Sequence, residues 1–416
     1  MTAEPTTTPS ASAAPADPGG EASRQHTLRE RNLRLVARAV YDAAAAAGTR
    51  PDTVPPSRAD VAAATGLTRA TVSTLVDRLV AARLVAELPP APAQRAGRPA
   101  VPLVPASRTV VGLGLEVNVD YLGVRVLDLA GEVVAEHVER GAFHDADPAR
   151  TLGRLGALAA DAVADVEAAG MRVAGARLAL PGLVDARTGE LEVAPNLGWS
   201  SLDPVPLLGL RDLPVRVANE AKLAALAELA GDVPDSFLHV SGDVGIGAAI
   251  VVDRALFLAE RGWNGEVGHV VVDPAGPRCT CGARGCLEQY AGKEAVLRAA
   301  GLPADAPLAD LLARLDDEDG GGTARAAVER AARALGSALA DFVNLTGVST
   351  IVLGGVYTEL LPWLAPDVHA GLTERVLAAP FAAPDVRAAR GGKFAALTGG
   401  AREVLRDVVA DPAPWG

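Results

Sequence analysis

Gly265-Glu266-Val267-Gly268-His269, followed by Cys279-Thr280-Cys281-Gly282-Ala283-Arg284-Gly285-Cys286-Leu287-Glu288, is the stretch from which the rest of the chain is read. All three cysteines of the 416-residue sequence fall within these eight residues, 279–286, and a histidine stands ten residues upstream of the first. Three thiolates and one imidazole are a closed tetrahedral set for structural zinc. His269, Cys279, Cys281 and Cys286 are therefore the expected metal ligands, with free buried thiols as the alternative. Three cysteines cannot pair fully, and a disulfide framework is unstable in a reducing compartment. Acidic residues, Glu266 and Glu288, flank the set on both sides.

A chain of this length can hold two or three domains with substantial cores. Aromatic residues are scarce at 3%, so the 49% apolar content reflects alanine-rich helices. No run of about 20 strongly apolar residues is present, which argues against a membrane span. No basic segment followed by an apolar core opens the chain, so a signal peptide is not expected and the cytoplasm is the expected location.

The net charge of -12 conceals an uneven distribution. Residues 21–105 carry +5, from twelve arginines against seven acids, while residues 106–416 carry -15. A basic module on an acidic body suits localised DNA binding. A solvated basic face is the alternative reading of charge alone.

Residues 1–23 lack a hydrophobic period and are expected to be disordered. A helix is expected from near Thr27 to about Ala47, stopped by Gly48. Arg58 to Leu79 fits a helix-turn-helix, with Gly66 in the turn and Thr68 capping the second helix. Val72, Leu75, Val76 and Leu79 form its apolar stripe. Thr68, Arg69, Thr71, Ser73 and Thr74 are the polar groups expected to meet phosphates and base edges. Arg83 to Glu87 reads as a strand, and Arg95 and Arg98, around Gly97 and before Pro99, read as a minor-groove wing. Residues 24–105 thus form a winged helix-turn-helix module with its linker.

From Thr109 the period changes. Strands are expected at 109–115, 121–127, 132–138 and 172–179, with a helix at 147–169 between the last two. The alternation returns with strands at 236–241, 246–253 and 349–353 and helices at 323–346 and 395–408. This partial repetition predicts two related α/β lobes, 109–218 and 219–394, with the last helix packing back on the first.

The body resembles the ROK family (repressors, open reading frames, kinases) over residues 109–405. The similarity rests on Leu180-Pro181-Gly182-Leu183-Val184-Asp185, Ala194-Pro195-Asn196-Leu197-Gly198-Trp199, Val217-Ala218-Asn219-Glu220-Ala221 and Gly245-Ile246-Gly247. The metal segment and Val352-Leu353-Gly354-Gly355 follow in the same order. The resemblance implies a two-lobed actin-like, hexokinase-like (ribonuclease H-like) ATPase fold behind the winged module. It also implies a sugar in the interlobe cleft, contacted by Asn196, Asn219, Glu220, Glu266, His269 and Glu288.

The chain departs from the family's kinases at three points. Their first phosphate loop, Asp-x-Gly-Gly-Thr, corresponds to Glu116-Val117-Asn118-Val119-Asp120, and their Gly-Thr-Gly loop to Asp243-Val244-Gly245. Glu220 stands at the position of the aspartate base, a degenerate catalytic position. Carboxylates at the phosphate loops repel a polyphosphate. The expectation is a transcriptional regulator of operator DNA, most simply a repressor, controlled by a small neutral sugar and lacking enzymatic activity. Structural zinc, no membrane partner and a homodimer or homotetramer complete it. The alternative is an ATP-dependent sugar kinase with an appended DNA-binding module; a third reading replaces the neutral sugar with a phosphosugar, a glycosylated compound or a protein partner.

Overall fold

The computed structural model describes residues 18–49, 54–90, 100–243, 245–317 and 321–416. The amino-terminal module contains α1 (Pro18–Thr49), α2 (Arg58–Thr65), α3 (Arg69–Ala81), β1 (Val85–Glu87) and β2 (Leu103–Pro105). Ser57 and Asp60 form a capping box at the start of α2, and Gly66 ends it at φ 70°, the left-handed region where a Cβ is disfavoured. Thr68 caps α3 by accepting from the Thr71 backbone N–H. Leu33, Val36 and Val40 of α1 bury against Val61, Val72, Val76 and Leu79.

Two expectations need correction here. The first helix begins at Pro18 rather than near Thr27, which shortens the tail expected to be disordered. A proline is accommodated in a helix's first turn, where its missing N–H costs nothing. Part of the expected linker is also a strand: β2 pairs antiparallel with β1, closing the base of the wing. Arg95 and Arg98 lie outside the described residues, as do residues 1–17.

The body begins with β3 (Val110–Val117), β4 (Tyr121–Asp128), β5 (Val133–Arg140), α4 (Pro148–Ala168) and β6 (Arg172–Leu180). A small antiparallel sheet, β7 (Leu183–Val184), β8 (Leu191–Ala194) and β9 (Trp199–Leu202), precedes α5 (Val205–Leu208), β10 (Val215–Asn219) and α6 (Glu220–Glu228). Then come β11 (Phe237–Gly242), β12 (Ile246–Val252), β13 (Ala255–Leu256), α7 (Glu288–Ala291), α8 (Lys293–Ala299), α9 (Leu308–Asp316) and α10 (Gly322–Thr346). The chain closes with β14 (Thr350–Gly355), α11 (Val356–Arg375), β15 (Asp385–Ala388) and α12 (Ala395–Ala410).

Two five-stranded sheets result, ordered β10-β6-β3-β4-β5 and β13-β12-β11-β14-β15. Their patterns correspond strand for strand: three antiparallel strands, then two parallel additions on the far side of the first. In each, the final parallel strand leads into a helix, α6 after β10 and α12 after β15. These two helices pack on one another, while α12 also lies on β3 and β6 of the first sheet. Asn219, the last residue of β10, belongs to the first sheet, one residue beyond the expected boundary at 218.

Glycines permit this arrangement. A Cβ on Gly114 of β3 would collide with the Leu397 carbonyl of α12, and one on Gly399 with the Leu223 carbonyl of α6. The other side of α12 completes the amino-terminal core, where Leu405, Val408 and Val409 join the cluster containing Val36 and Leu79. Arg172 ties the same junction, donating to the Ala82 carbonyl at 2.7 Å and to the Trp415 carbonyl at 3.1 Å.

Gly399→Ala tests the spacing of α6 and α12. Helix propensity alone favours alanine by about 1 kcal/mol. Contact with a backbone carbonyl outweighs that, so urea unfolding should show a net loss of about 2 kcal/mol, within the overpacking range. Unchanged stability would mean that the helices are not in close register.

Candidate functional site

His269 ends the 3-10 turn Val267–His269, and the three cysteines follow on a tight loop. The Cys279 N–H donates to the Ala283 carbonyl at 2.9 Å and the Gly282 N–H to the Cys279 carbonyl at 3.0 Å. Gly285, at φ 70°, brings the backbone against the Asp273 carbonyl where a side chain could not fit. Together these turns converge one ligand atom from each of His269, Cys279, Cys281 and Cys286, all within 4.8 Å of one another. His269 Nδ1 lies 3.8 Å from Cys279 Sγ, and Cys281 Sγ lies 3.6 Å from Cys286 Sγ. Donors on a tetrahedron with bonds of about 2.3 Å are separated by about 3.8 Å. Burial and the neighbouring sulfurs push the Cys286 thiol up to about 12, so three thiolates coexist here only with a cation among them. The group is able to hold a metal ion, and its donors suit zinc.

The polar residues expected in the cleft converge beside it. Glu288 opens α7, and its Oε2 accepts from the Ile246 N–H at 3.3 Å. A Cβ on Gly245 would stand 2.7 Å from that oxygen and 3.0 Å from Asn196 Nδ2, so the missing side chain lets the two residues approach. Glu266 is in electrostatic reach of His269 and Glu288 and faces the buried Lys222 ammonium. Glu220 opens α6 within reach of Glu116, Asp243 and Glu266; burial first and these acids second hold its carboxyl well above the usual range. Asn219 has a different use of its side chain. Its Oδ1 accepts from the Ala221 and Lys222 N–H groups, capping α6, while Nδ2 donates to the Gly182 carbonyl at 3.0 Å. One amide hydrogen is left for another partner.

The segment around Glu116 is not simply a loop. Glu116 is the penultimate residue of β3, only 3% exposed, and its Oε2 finds no hydrogen-bond partner among the described residues. Burial, reinforced by Asp243, pushes its carboxyl up to about 7. Asp120 stands exposed at the β3–β4 turn, 4.0 Å from Lys293 Nζ of α8. The same ammonium is within electrostatic reach of Asp243. Sequence reasoning missed Lys293 because no motif marks it. It also missed His144 and Arg278, which line a cavity of about 360 Å³ opening at Asn196 and Glu288.

In the amino-terminal module, Arg69 and Thr74 are exposed on α3, and Thr68 and Thr71 share a 2.9 Å hydroxyl contact at its start. Ser73 is half-buried on α3 and keeps its O–H free to donate. Its hydroxyl accepts from Arg58 at 2.8 Å, and the same guanidinium pairs with Asp77 at 2.7 Å and Glu87 at 2.8 Å. Arg58 thereby fastens α2, α3 and the wing strand, a role the helix pattern alone did not reveal.

The ROK family model matches residues 112–406, well over half of the sequence. The chain belongs to the ROK family. Its paired sheets and crossing helices are the actin-like, hexokinase-like fold expected of a ROK protein, preceded by a winged helix-turn-helix. The xylose repressor of Bacillus subtilis (strain 168) is 30% identical over 248 residues, spanning 59% of this chain and 64% of that one, just under two thirds of its length. The DNA-binding transcriptional dual regulator NagC of Escherichia coli (strain K12) is 29% identical over 343 residues, covering 78% of this chain and 82% of NagC. A solved ROK family transcriptional regulator, described as a homologue of the E. coli MLC protein, superposes with a TM-score of 0.73 at 28% identity. That match covers 92% of this chain and 97% of the other. No helix among the described residues of this ROK protein is long and apolar enough to cross a membrane.

The buried acid gives a pH prediction. Glu116 rises from an ordinary 4.5 to about 7, so the folded state holds a proton that the unfolded chain has lost between those values. Stability therefore falls as pH rises through this window, by up to about 3 kcal/mol for this group, and levels off above it. Glu116→Gln should flatten the slope of unfolding free energy between pH 5 and pH 7, an interval of about the stated window. An unchanged slope would show that Glu116 ionises freely.

Proposed function

We propose that this ROK protein is a DNA-binding transcriptional repressor whose operator affinity is set by a neutral sugar in the interlobe cleft, without phosphoryl transfer. One observation carries the reading: α12 packs on α6 on one side and completes the core of the helix-turn-helix module on the other. Residues Asn219 and Glu220, at the start of α6, stand in the cleft. A ligand there that favours one interlobe angle bears directly on the aim of α3. Two-fold operators make half-site spacing a geometric match, so a homodimer or homotetramer is the expected assembly. Repressors named for xylose and a regulator of the NagC type among the relatives support a sugar effector in general.

Asn196, Glu220, Glu266, His269 and Glu288 are the proposed sugar contacts, reading hydroxyls as donors and acceptors. Asn219 contributes its remaining amide hydrogen. Structural zinc on His269, Cys279, Cys281 and Cys286 would use Nδ1 of the imidazole, leaving Nε2 as a fixed N–H donor toward the cleft. Arg69, Thr71, Ser73 and Thr74, with Thr68 at the helix start, are the proposed DNA contacts, together with Arg95 and Arg98. The cytoplasm is the location at which operator DNA is met.

Loss of kinase chemistry follows from charge. Where the family's kinases bring glycines and hydroxyls to nucleotide phosphates, Asp120 and Asp243 present carboxylates around Lys293. Burial and the neighbouring acids hold the Glu220 carboxyl well above the usual range, which favours its neutral form over the carboxylate that accepts a sugar hydroxyl proton.

Fluorescence anisotropy with operator DNA should show a neutral sugar weakening binding by about 5- to 150-fold, the span of ordinary coupling energies. Sugar-dependent ADP formation from ATP would overturn the reading in favour of the kinase. Metal analysis should find one zinc per chain, and Cys281→Ser should lower the melting temperature by several degrees, as loss of a structural ligand does. A metal-free native protein, or a Cys281→Ser variant as stable as wild type, would remove zinc from the account.

A further inference from the structure

The cavity at Asn196 and Glu288 extends beyond the six positions assigned to the sugar. It is about 360 Å³ and is walled by both lobes. From the first lobe come His144 and Asp145, and from the second Arg278, Thr280 and Arg298. Asn219, Glu220, Glu266 and His269 do not line it. Its size is that of a ligand site rather than a packing defect.

Both walls are held in place. Asp145 adopts φ 53°, a left-handed conformation uncommon for a residue with a side chain, and its carboxylate packs against Gly198. The Phe143 N–H donates to the Val119 carbonyl at 2.8 Å, and the Trp199 indole N–H donates to the Ala146 carbonyl at 2.7 Å. Asp147, next along, caps α4. The loop carrying His144 is thus pinned at both ends and by its own strained turn. On the facing wall, Arg278 and Thr280 alternate with Cys279 and Cys281, so the ligand loop that converges on the metal position also presents these two side chains.

The lining is polar and carries charges of both signs. Arg298 pairs with Glu294 at 3.0 Å, and Asp145 and Glu288 line the cavity together with Arg278, whose guanidinium has no hydrogen-bond or ion-pair partner among the described residues. A phosphate or uronate would meet two carboxylates here. Interspersed carboxylates, guanidinium, hydroxyl and amides match the alternating donors and acceptors of a sugar ring. Resting on the sugar-binding reading above, we propose that this cavity is a second sugar subsite. The effector is a neutral oligosaccharide of at least two rings, one at the acid cluster and the next between His144 and Arg278.

Titration calorimetry on the full chain distinguishes the alternatives, using xylose, glucose and N-acetylglucosamine beside xylobiose, cellobiose, diacetylchitobiose and glucose 6-phosphate. One disaccharide should bind at least about tenfold more tightly than its own monosaccharide, the effect of a modest set of added hydrogen bonds. Arg278→Ala and His144→Ala should each erase most of that advantage while leaving monosaccharide affinity within about twofold. His144→Ala, remote in sequence from the metal ligands, keeps the test valid if the Arg278 variant disturbs their loop. Equal affinity for one ring and two, or equal losses for both sugars, would overturn the subsite while leaving the sensor standing; tighter binding of the sugar phosphate would overturn the subsite and the neutral-sugar effector together. Binding of none of these sugars would overturn the sensor, and the subsite with it.

Discussion

The contact on which the rest of the molecule depends is the close approach of α12 to β3 and α6. Gly112 and Gly114 on the strand and Gly399 on the helix let backbone meet backbone where side chains would force the layers apart. Because α6 starts at the cleft and α12 ends in the amino-terminal core, this one packing joins three parts of the chain. Interiors at crystalline density transmit displacements rather than absorb them, so a shift at Glu220 is carried to α12 through this helix pair as well as to the strands under α6. The carboxy-terminal residues extend the same junction, with the partly buried Trp415 ring under the Arg172 guanidinium.

Electrostatics gives the cleft its chemical character. Glu220 lies within electrostatic reach of Glu116, Asp243 and Glu266, while the Lys222 ammonium opposes Glu266 and the Lys293 ammonium opposes Asp243. Such a site favours protonated acids and ligands rich in hydroxyl groups over polyanions. Glycosidic hydroxyls accept and donate without adding charge, which is the economical way to satisfy many buried polar groups at once. The turns that bring the three cysteines to His269 lie beside Glu266 and Glu288.

Much of this architecture is legible from local pattern. The helix-turn-helix is written in short-range terms: Ser57 and Asp60, Gly66, Thr68 and the Val72–Leu79 stripe each act within a few residues. The strands of both lobes follow from their apolar runs, and His269 with the three cysteines from ligand type and spacing. Other features resisted for equally physical reasons. Ser73 has the composition of a DNA contact, and its hydroxyl also accepts from Arg58, fifteen residues earlier, a pairing that no local pattern announces. Asn219 looks like a ligand residue, but most of its hydrogen-bonding capacity is spent on α6 and Gly182. Nothing near Glu116 in the sequence announces that it is the most deeply buried acid of the cleft.

Residue type and order alone determined that this chain has a basic winged module, two similar α/β lobes, a histidine–cysteine metal set and phosphate loops of the wrong charge. These are properties of short segments, set by periodicity, caps and donor chemistry. Only the tertiary structure decided that α12 unites the core of the amino-terminal module with α6, that Lys293 stands by Asp120 across the cleft, and that His144 and Arg278 line one cavity. Those pairings join residues more than a hundred positions apart, and backbone closeness at glycines, not any local preference, selects which of them meet.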